Sequence, residues 1–238
     1  MKLIPIALAI ITTLSTASAW ESSYDTLLQK YVKGAGVDYA SWHKNAADRK
    51  ALSDVTGAIA SESLSGKSKD EKLAFYLNAY NAYILDKIFD EYPTEGPGGG
   101  GFFGRNKVFK SLKFTVAGKT TNFSALENDI IRPVFNEPRI HFALNCASDS
   151  CPPLHDKAFT AENLDATLTL LTKNFVNNDP DGVKVEGGTA YISKIFDWYA
   201  DDFKAAGGAR SYINKYRTSP IPAKVKFQEY KWTLNAAK

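Results

Sequence analysis

LAFYLNAYNAYI, Leu73 to Ile84, runs twelve residues without a charge and carries two asparagines three apart, Asn78 and Asn81. Leu73, Leu77, Tyr80, Ile84 and Ile88 recur at helical spacing on one face, and Phe75, Ala79 and Ala82 line another, so the spacing predicts a helix packed on most sides. Ser68 followed by Glu71 forms a capping box at its start, and Pro93 marks its end. Asn78 and Asn81 project together from one side, where a buried amide left unpaired costs roughly 1–3 kcal/mol. A second segment must bring polar partners, and RIHFALNCASDSCPP, Arg139 to Pro153, is the one whose composition fits.

Working outward, Tyr24, Leu27, Leu28, Tyr31 and Val32 have helical spacing, closed by Gly34 and Gly36 before VDYASW. Leu52, Val55 and Ile59 form another amphipathic set that leads into the central helix. Gly96-Pro97-Gly98-Gly99-Gly100-Gly101 lacks the GK[ST] ending of a phosphate-binding loop and opens no obvious helix, so it reads as an ordinary mobile loop. Hairpins are expected around Gly118 and around Gly187-Gly188. Ser124 with Glu127 reads as a second capping box, and Thr160 caps a helix with Leu164, Leu168, Leu171 and Phe175 inward. Arg139 to Cys146 alternates as a strand, with Ile140, Phe142 and Leu144 toward the core. Lys194 to Phe203 is amphipathic and stopped by Gly207-Gly208, and a last strand is expected near Val225 to Leu234. Helices and hairpins without βαβ alternation give an α+β fold in one domain, with a central buried helix packed on a small, mainly antiparallel sheet.

At the N-terminus, Lys2, an apolar run from Leu3 through Leu14 and Ala17-Ser18-Ala19 fit an export leader over residues 1–19, with a domain over 20–238. No later stretch approaches the roughly 20 apolar residues of a membrane-spanning helix, so no transmembrane anchor is expected, and a periplasmic or secreted location follows. Position 20 is Trp, which argues against a lipid-anchored cysteine there. A formal charge of +3, with no Lys/Arg block, excludes nucleic acid as the expected partner. With 12 Tyr and 14 Phe, most aromatics must be core, and a few exposed ones suit an envelope peptide or a glycan.

Besides free thiols with a purely structural role, the two cysteines, Cys146 and Cys151, leave three readings open. An even count in an oxidising compartment fits a disulfide, worth roughly 2 kcal/mol for so short a loop. Alternatively Cys146 is a nucleophile, activated by a base or a positive field. His141 is near in sequence, but on a flat strand it lies ~17 Å from Cys146 and points to the opposite face, which leaves His155 as an alternative base. The third reading is a metal set, H-x4-C-x4-C-x3-H, but it lacks the short spacing of a zinc knuckle, and no metal or cofactor is assigned. His141 also reads as a buried imidazole bonded to Asn78 or Asn81. Asp202 reads equally as a group that orients a histidine or an arginine and as a plain helix-surface charge, and Trp198 and Tyr199 read as core or as a ligand platform.

FYLNAYNAYILDKI, RIHFALNCASDSCPPL and SKIFDWYADDF, in that order and at these separations, are similar to blocks of the bacterial members of the DUF547 family. GVDYASW and FTVAGKTTNFSALENDIIRPVF fit the same family. The resemblance implies a shared polar pocket, because it puts Glu127, Arg132, Arg139, His141, Asn145 and Cys146 on motif positions along with Asn78 and Asn81. In family members outside bacteria the first cysteine is retained where the second is not, which favours Cys146 as more than a bridge partner. A helix followed by a His-bearing segment also resembles papain-like and transglutaminase-like folds. The expectation is an exported protein in which Cys146 attacks an acyl carbon, His141 moves the proton, Asn78 or a backbone amide holds the oxyanion, and Glu127 joins the cluster. Asn81, Arg132, Arg139, Asn145, Trp198 and Tyr199 are the expected binding residues. The alternative is a non-catalytic envelope scaffold or binding protein stapled by Cys146–Cys151.

Overall fold

Caps and turn residues set most of the element boundaries of this chain. The structure, a computed structural model, describes residues 18–99, 101–178 and 180–238. The expected leader lies outside the described residues except for Ser18 and Ala19, which open the first helix.

In chain order, α1 (Ala19–Tyr31) leads through the short strands β1 (Val32–Lys33) and β2 (Gly36–Val37) to α2 (Tyr39–Lys44) and α3 (Ala46–Ser61). The expected central helix is α4 (Lys69–Asp90), with Ser68 N donating to Glu71 Oε2 at 2.7 Å and Glu71 N to Ser68 Oγ at 3.2 Å. Leu73 through Leu85 are buried almost without a break, so α4 is covered on most sides. Tyr83 ties it to its neighbours: its hydroxyl reaches the carbonyls of Thr56 and Thr115 at 3.0 and 2.6 Å, and its ring stacks on Phe114 at 4.4 Å.

Next come α5 (Gly101–Asn106), a π-helical turn Lys107–Ser111, and the hairpin of β3 (Phe114–Val116) and β4 (Lys119–Thr121). α6 (Phe123–Ala125) continues as a π-helical turn, Leu126–Ile131, into α7 (Arg132–Phe135), and Pro138–Phe142 forms a 3-10 turn. After a long loop follow α8 (Leu164–Asn177), the hairpin β5 (Val183–Glu186) and β6 (Thr189–Ile192), and α9 (Ile195–Trp198). A 3-10 turn Ala200–Ala206, α10 (Ala209–Tyr216) and β7 (Lys224–Phe227) complete the described elements. The fold is α+β, and among the described residues the strands form three small sheets, antiparallel except that β7 pairs β6 in parallel.

Two local expectations are corrected. Arg139 to Cys146 is not a strand. Pro138 sits at the first helical position and Glu137 accepts from Arg139 N at 3.1 Å, which starts a 3-10 turn closed by Ala143 N to Ile140 O at 2.9 Å. Its alternating apolar residues serve two cores: Ile140 packs with α4, and Phe142 packs with Phe175, Phe196 and Phe203. Glu127 does not close a capping box with Ser124 either. Asn122 caps α6 by accepting from Ala125 N at 2.8 Å, and the π-helical turn carries Glu127 inward to 8% exposure.

Gly98, in the glycine-rich segment, is packed. A Cβ on Gly98 would lie 2.2 Å from the Trp232 Cβ, and Gly98 N donates to Trp232 O at 3.2 Å. Only glycine lets the two backbones approach so closely. Past β7 the chain leaves the sheet and runs along the cysteine loop: Asp149 N bonds Thr233 O at 2.8 Å, Lys231 N bonds Ser150 Oγ at 3.0 Å, and Asn235 N bonds Ala147 O at 3.2 Å.

Candidate functional site

The two asparagines of α4 act as clamps. Asn81 Nδ2 donates to Ala143 O at 2.9 Å and its Oδ1 accepts from Asn145 N at 2.9 Å. Asn78 makes the same pair with Phe159, at 2.8 and 2.9 Å. Both amides bond backbone and neither lines the cleft described below, so Asn78 is not placed for the expected oxyanion role. Asn145 in turn holds the cysteine loop closed, accepting from Ala147 N at 2.9 Å and donating to Pro152 O at 2.9 Å. Each buried amide therefore satisfies a backbone group that would otherwise be orphaned.

The cysteine loop borders a cavity of about 170 Å³ lined by Tyr80, Glu127, His141, Cys146, Cys151, Trp198, Tyr199, Tyr230 and Trp232, among others. The 3-10 turn, shorter per residue than a strand, is what lets His141 and Cys146 face one cavity. His141 is not bonded to Asn78 or Asn81. Its Nε2 lies 2.7 Å from Asp202 Oδ2, its Nδ1 3.8 Å from Glu127 Oε1, and its ring stacks on Tyr199 at 3.9 Å. Arg132 grips the same carboxylate with Nε and a terminal nitrogen, both at 2.7 Å. Burial works against the Asp202 charge, but hydrogen bonds from His141 and Arg132 outweigh it and hold the carboxyl well below the usual range. An ionised Asp202 accepts from His141 Nε2, which leaves Nδ1 as the ring nitrogen on the Glu127 side. Burial, offset in part by His141, Tyr199 and Arg132, pushes the Glu127 carboxyl up.

Both cysteines are free, so the expected Cys146–Cys151 disulfide is not formed. The loop instead turns Cys151 Sγ onto the backbone of Cys146, whose N–H donates to it at 2.8 Å. Cys146 Sγ lies 2.9 Å from Ser148 Oγ and 3.2 Å from Tyr230 Oη. Burial alone would raise the Cys146 thiol, yet hydrogen bonds from Cys151, Ser148 and Tyr230 lower it below its ordinary value. Burial and the neighbouring Cys146 push the Cys151 thiol well up. The pair is thus differentiated, one thiol disposed to ionise and one not.

Of the expected site residues, Glu127, His141, Cys146, Trp198 and Tyr199 meet at this cavity. Arg132 serves it through Asp202. Arg139 lies elsewhere, bonded to Glu137, Asp165 and Thr169. His155 pairs with Asp156 at 3.4 Å and packs against Phe159. Among the described residues no group of His, Cys, Asp and Glu is arranged to hold a metal ion. Tyr230, Trp232 and Ser148 escaped the sequence reading. The Tyr-Lys-Trp alternation after β7 was a signal, since two aromatics on one side of an extended segment need a surface to cover.

Fold and site define a thiol-bearing cleft in an α+β scaffold, with a part-buried aspartate–histidine pair at its edge. The model of the family described as "Protein of unknown function, DUF547" matches residues 64–176, so that segment of the chain is similar to the family. The match takes in α4, Glu127, His141 and both cysteines, whereas Trp198, Asp202 and Tyr230 lie beyond it. No curated protein and no solved structure matches the chain. Among the described residues no helix is long and apolar enough to cross a membrane.

Proposed function

We propose that this protein is a thiol-dependent acyl hydrolase or transferase acting on envelope peptides, with Cys146 as nucleophile. The observation that carries the reading is the Cys146 thiol itself: free, hydrogen-bonded by two hydroxyls and lowered in pKa, on a cavity it shares with a histidine oriented by Asp202. In the reaction the Cys146 thiol passes its proton to His141 Nδ1 and the resulting thiolate attacks the acyl carbon, forming a C–S bond as the carbonyl electrons move to oxygen. Tyr230 Oη, beside the sulfur at 3.2 Å, is the hydroxyl best placed to donate to that oxyanion. Collapse breaks the bond to the leaving amine or alcohol, which takes a proton from His141 Nδ1. Water, or an acceptor amine, then gives its proton to His141 and attacks the thioester, and the C–S bond breaks to release Cys146. Asp202 holds the imidazole tautomer throughout, with Arg132 fixing Asp202.

The test is thiol reactivity followed by turnover. Two titratable thiols, with Cys146 alkylated far faster than Cys151 at neutral pH, support the reading. Turnover of an acyl substrate should survive Cys151→Ser and vanish in Cys146→Ser. A disulfide-stapled scaffold predicts the contrary: no titratable thiol, and equal stability losses for the two substitutions. Export is part of the proposal, supported by the Met1–Ala19 pattern. Intact mass of material collected outside the cytoplasm should begin at Trp20, and a mass beginning at Met1 counts against cleavage.

A further inference from the structure

We infer that the cleft beside Cys146 selects an uncharged, apolar acyl group about the size of one ring, and that Trp198 is its specificity-determining wall. This deepens the acyl-transfer reading and rests on it only for the word acyl. Size is the first constraint. A cavity of about 170 Å³ compares with the roughly 150 Å³ of a dry protein cavity that takes up benzene, so it accommodates one ring or short aliphatic chain and not a run of peptide.

Charge is the second. Among the described residues no lysine or arginine lines the cleft, and its ionisable wall groups besides thiols and phenols are Glu127 and His141. Arg105 lies over the Trp232 ring at 4.9 Å, and Arg132 is held by Asp202. An anionic acyl group would therefore find a carboxyl and no cation to receive it.

The third is the wall itself. Trp198 packs against Trp232 at 5.7 Å and Tyr230 at 4.8 Å, yet it stays 45% exposed. Its indole is thus braced by neighbours while remaining available to a ligand, a ring held in place at little further entropic cost. In a peptide substrate the group selected would be an apolar side chain on the acyl side of the scissile bond.

The test uses thiol labelling, so it does not require turnover. The purified chain is treated with benzyl methanethiosulfonate or with the anionic 2-sulfonatoethyl reagent, and labelling at Cys146 is followed by peptide mass. In both cases the thiolate attacks the thiosulfonate sulfur, an S–S bond forms and sulfinate leaves. Rates are divided by those for a small free thiol. The benzyl reagent should be favoured by about tenfold, the scale of one well-filled apolar contact. Trp198→Ala should remove most of that preference, and Trp198→Phe should retain it. Equal normalised rates, or a faster anionic reagent, overturn the inference, as does a preference undiminished in Trp198→Ala. If labelling is selective but no acyl substrate turns over, the hydrolase reading fails and the selectivity stands. Turnover of charged acyl substrates as fast as apolar ones sinks the selectivity and leaves the hydrolase.

Discussion

Replacing Asn81 by leucine tests the link between the central helix and the nucleophile. The side chains are similar in size, so the substitution mainly deletes two hydrogen bonds, those to Ala143 O and Asn145 N. Each backbone group is left buried without a partner at roughly 1–3 kcal/mol, and the added apolar burial returns about 1 kcal/mol. The net expected loss is about 1–5 kcal/mol, centred near 3. With a urea slope of roughly 2–3 kcal/mol/M, the unfolding midpoint should fall by about 1 M. Because Asn145 immediately precedes Cys146, the native-state alkylation rate of Cys146 should also change. Asn78→Leu is the control: it orphans Phe159 instead and should cost comparable stability without altering Cys146 labelling. An unchanged urea midpoint in Asn81→Leu would mean that water serves these groups and that the clamp is not structural. An altered midpoint with unaltered labelling would refute the coupling of helix to thiol.

Tyr230→Phe removes a hydroxyl from Cys146 Sγ and should slow its alkylation near neutral pH by about tenfold, the scale of one hydrogen bond to a charged group, with the labelling midpoint moving to higher pH. An unshifted pH profile would remove Tyr230 from the thiolate's support. Asp202 has a folded-state pKa below its unfolded one, so its contribution to stability is fully present above the ordinary carboxylate pKa, about 4, and is lost as pH falls through the folded value. Asp202→Asn should therefore lower the urea midpoint at about pH 7 and approach wild type as pH falls below about 4. A deficit that stays constant over that range would show that the interaction is not one of charge.

Much of the fold was legible locally. The capping box at Ser68–Glu71, the apolar spacing of α4 and the glycine turns each depend on near neighbours, and each formed where expected. The misreading of 139–146 has an equally local cause. Ile140, Phe142 and Leu144 alternate as in a strand, but they divide between two cores, and the Glu137-Pro138 start was the signal for a turn. Half of the site was legible as well: Glu127, His141 and Cys146 carry reactive groups and attracted notice for that reason. Asp202 stood out only as one of two choices for its partner. Tyr230 and Trp232 were invisible, because what gives them a role is the path of the last segment across the cysteine loop, and that path is set by backbone pairing at Ala147, Asp149 and Ser150. Arg139 shows the converse, a residue adjacent to the site in sequence and turned away from it by Glu137 and Asp165.

The threading of that last segment bears on how the protein is made. Cys146 and His141 leave the ribosome well before Asp202, and Tyr230 follows later still. Until the segment carrying Tyr230 docks against the loop and Gly98, the sulfur lacks one of its two hydroxyl partners and the cleft lacks one wall. Contacts between residues this far apart are among the slowest for a chain to close. Reactivity at Cys146 should consequently be acquired in the final stage of maturation, which shields unfinished chains from their own thiol chemistry and makes the labelling rate a clock for completed folding.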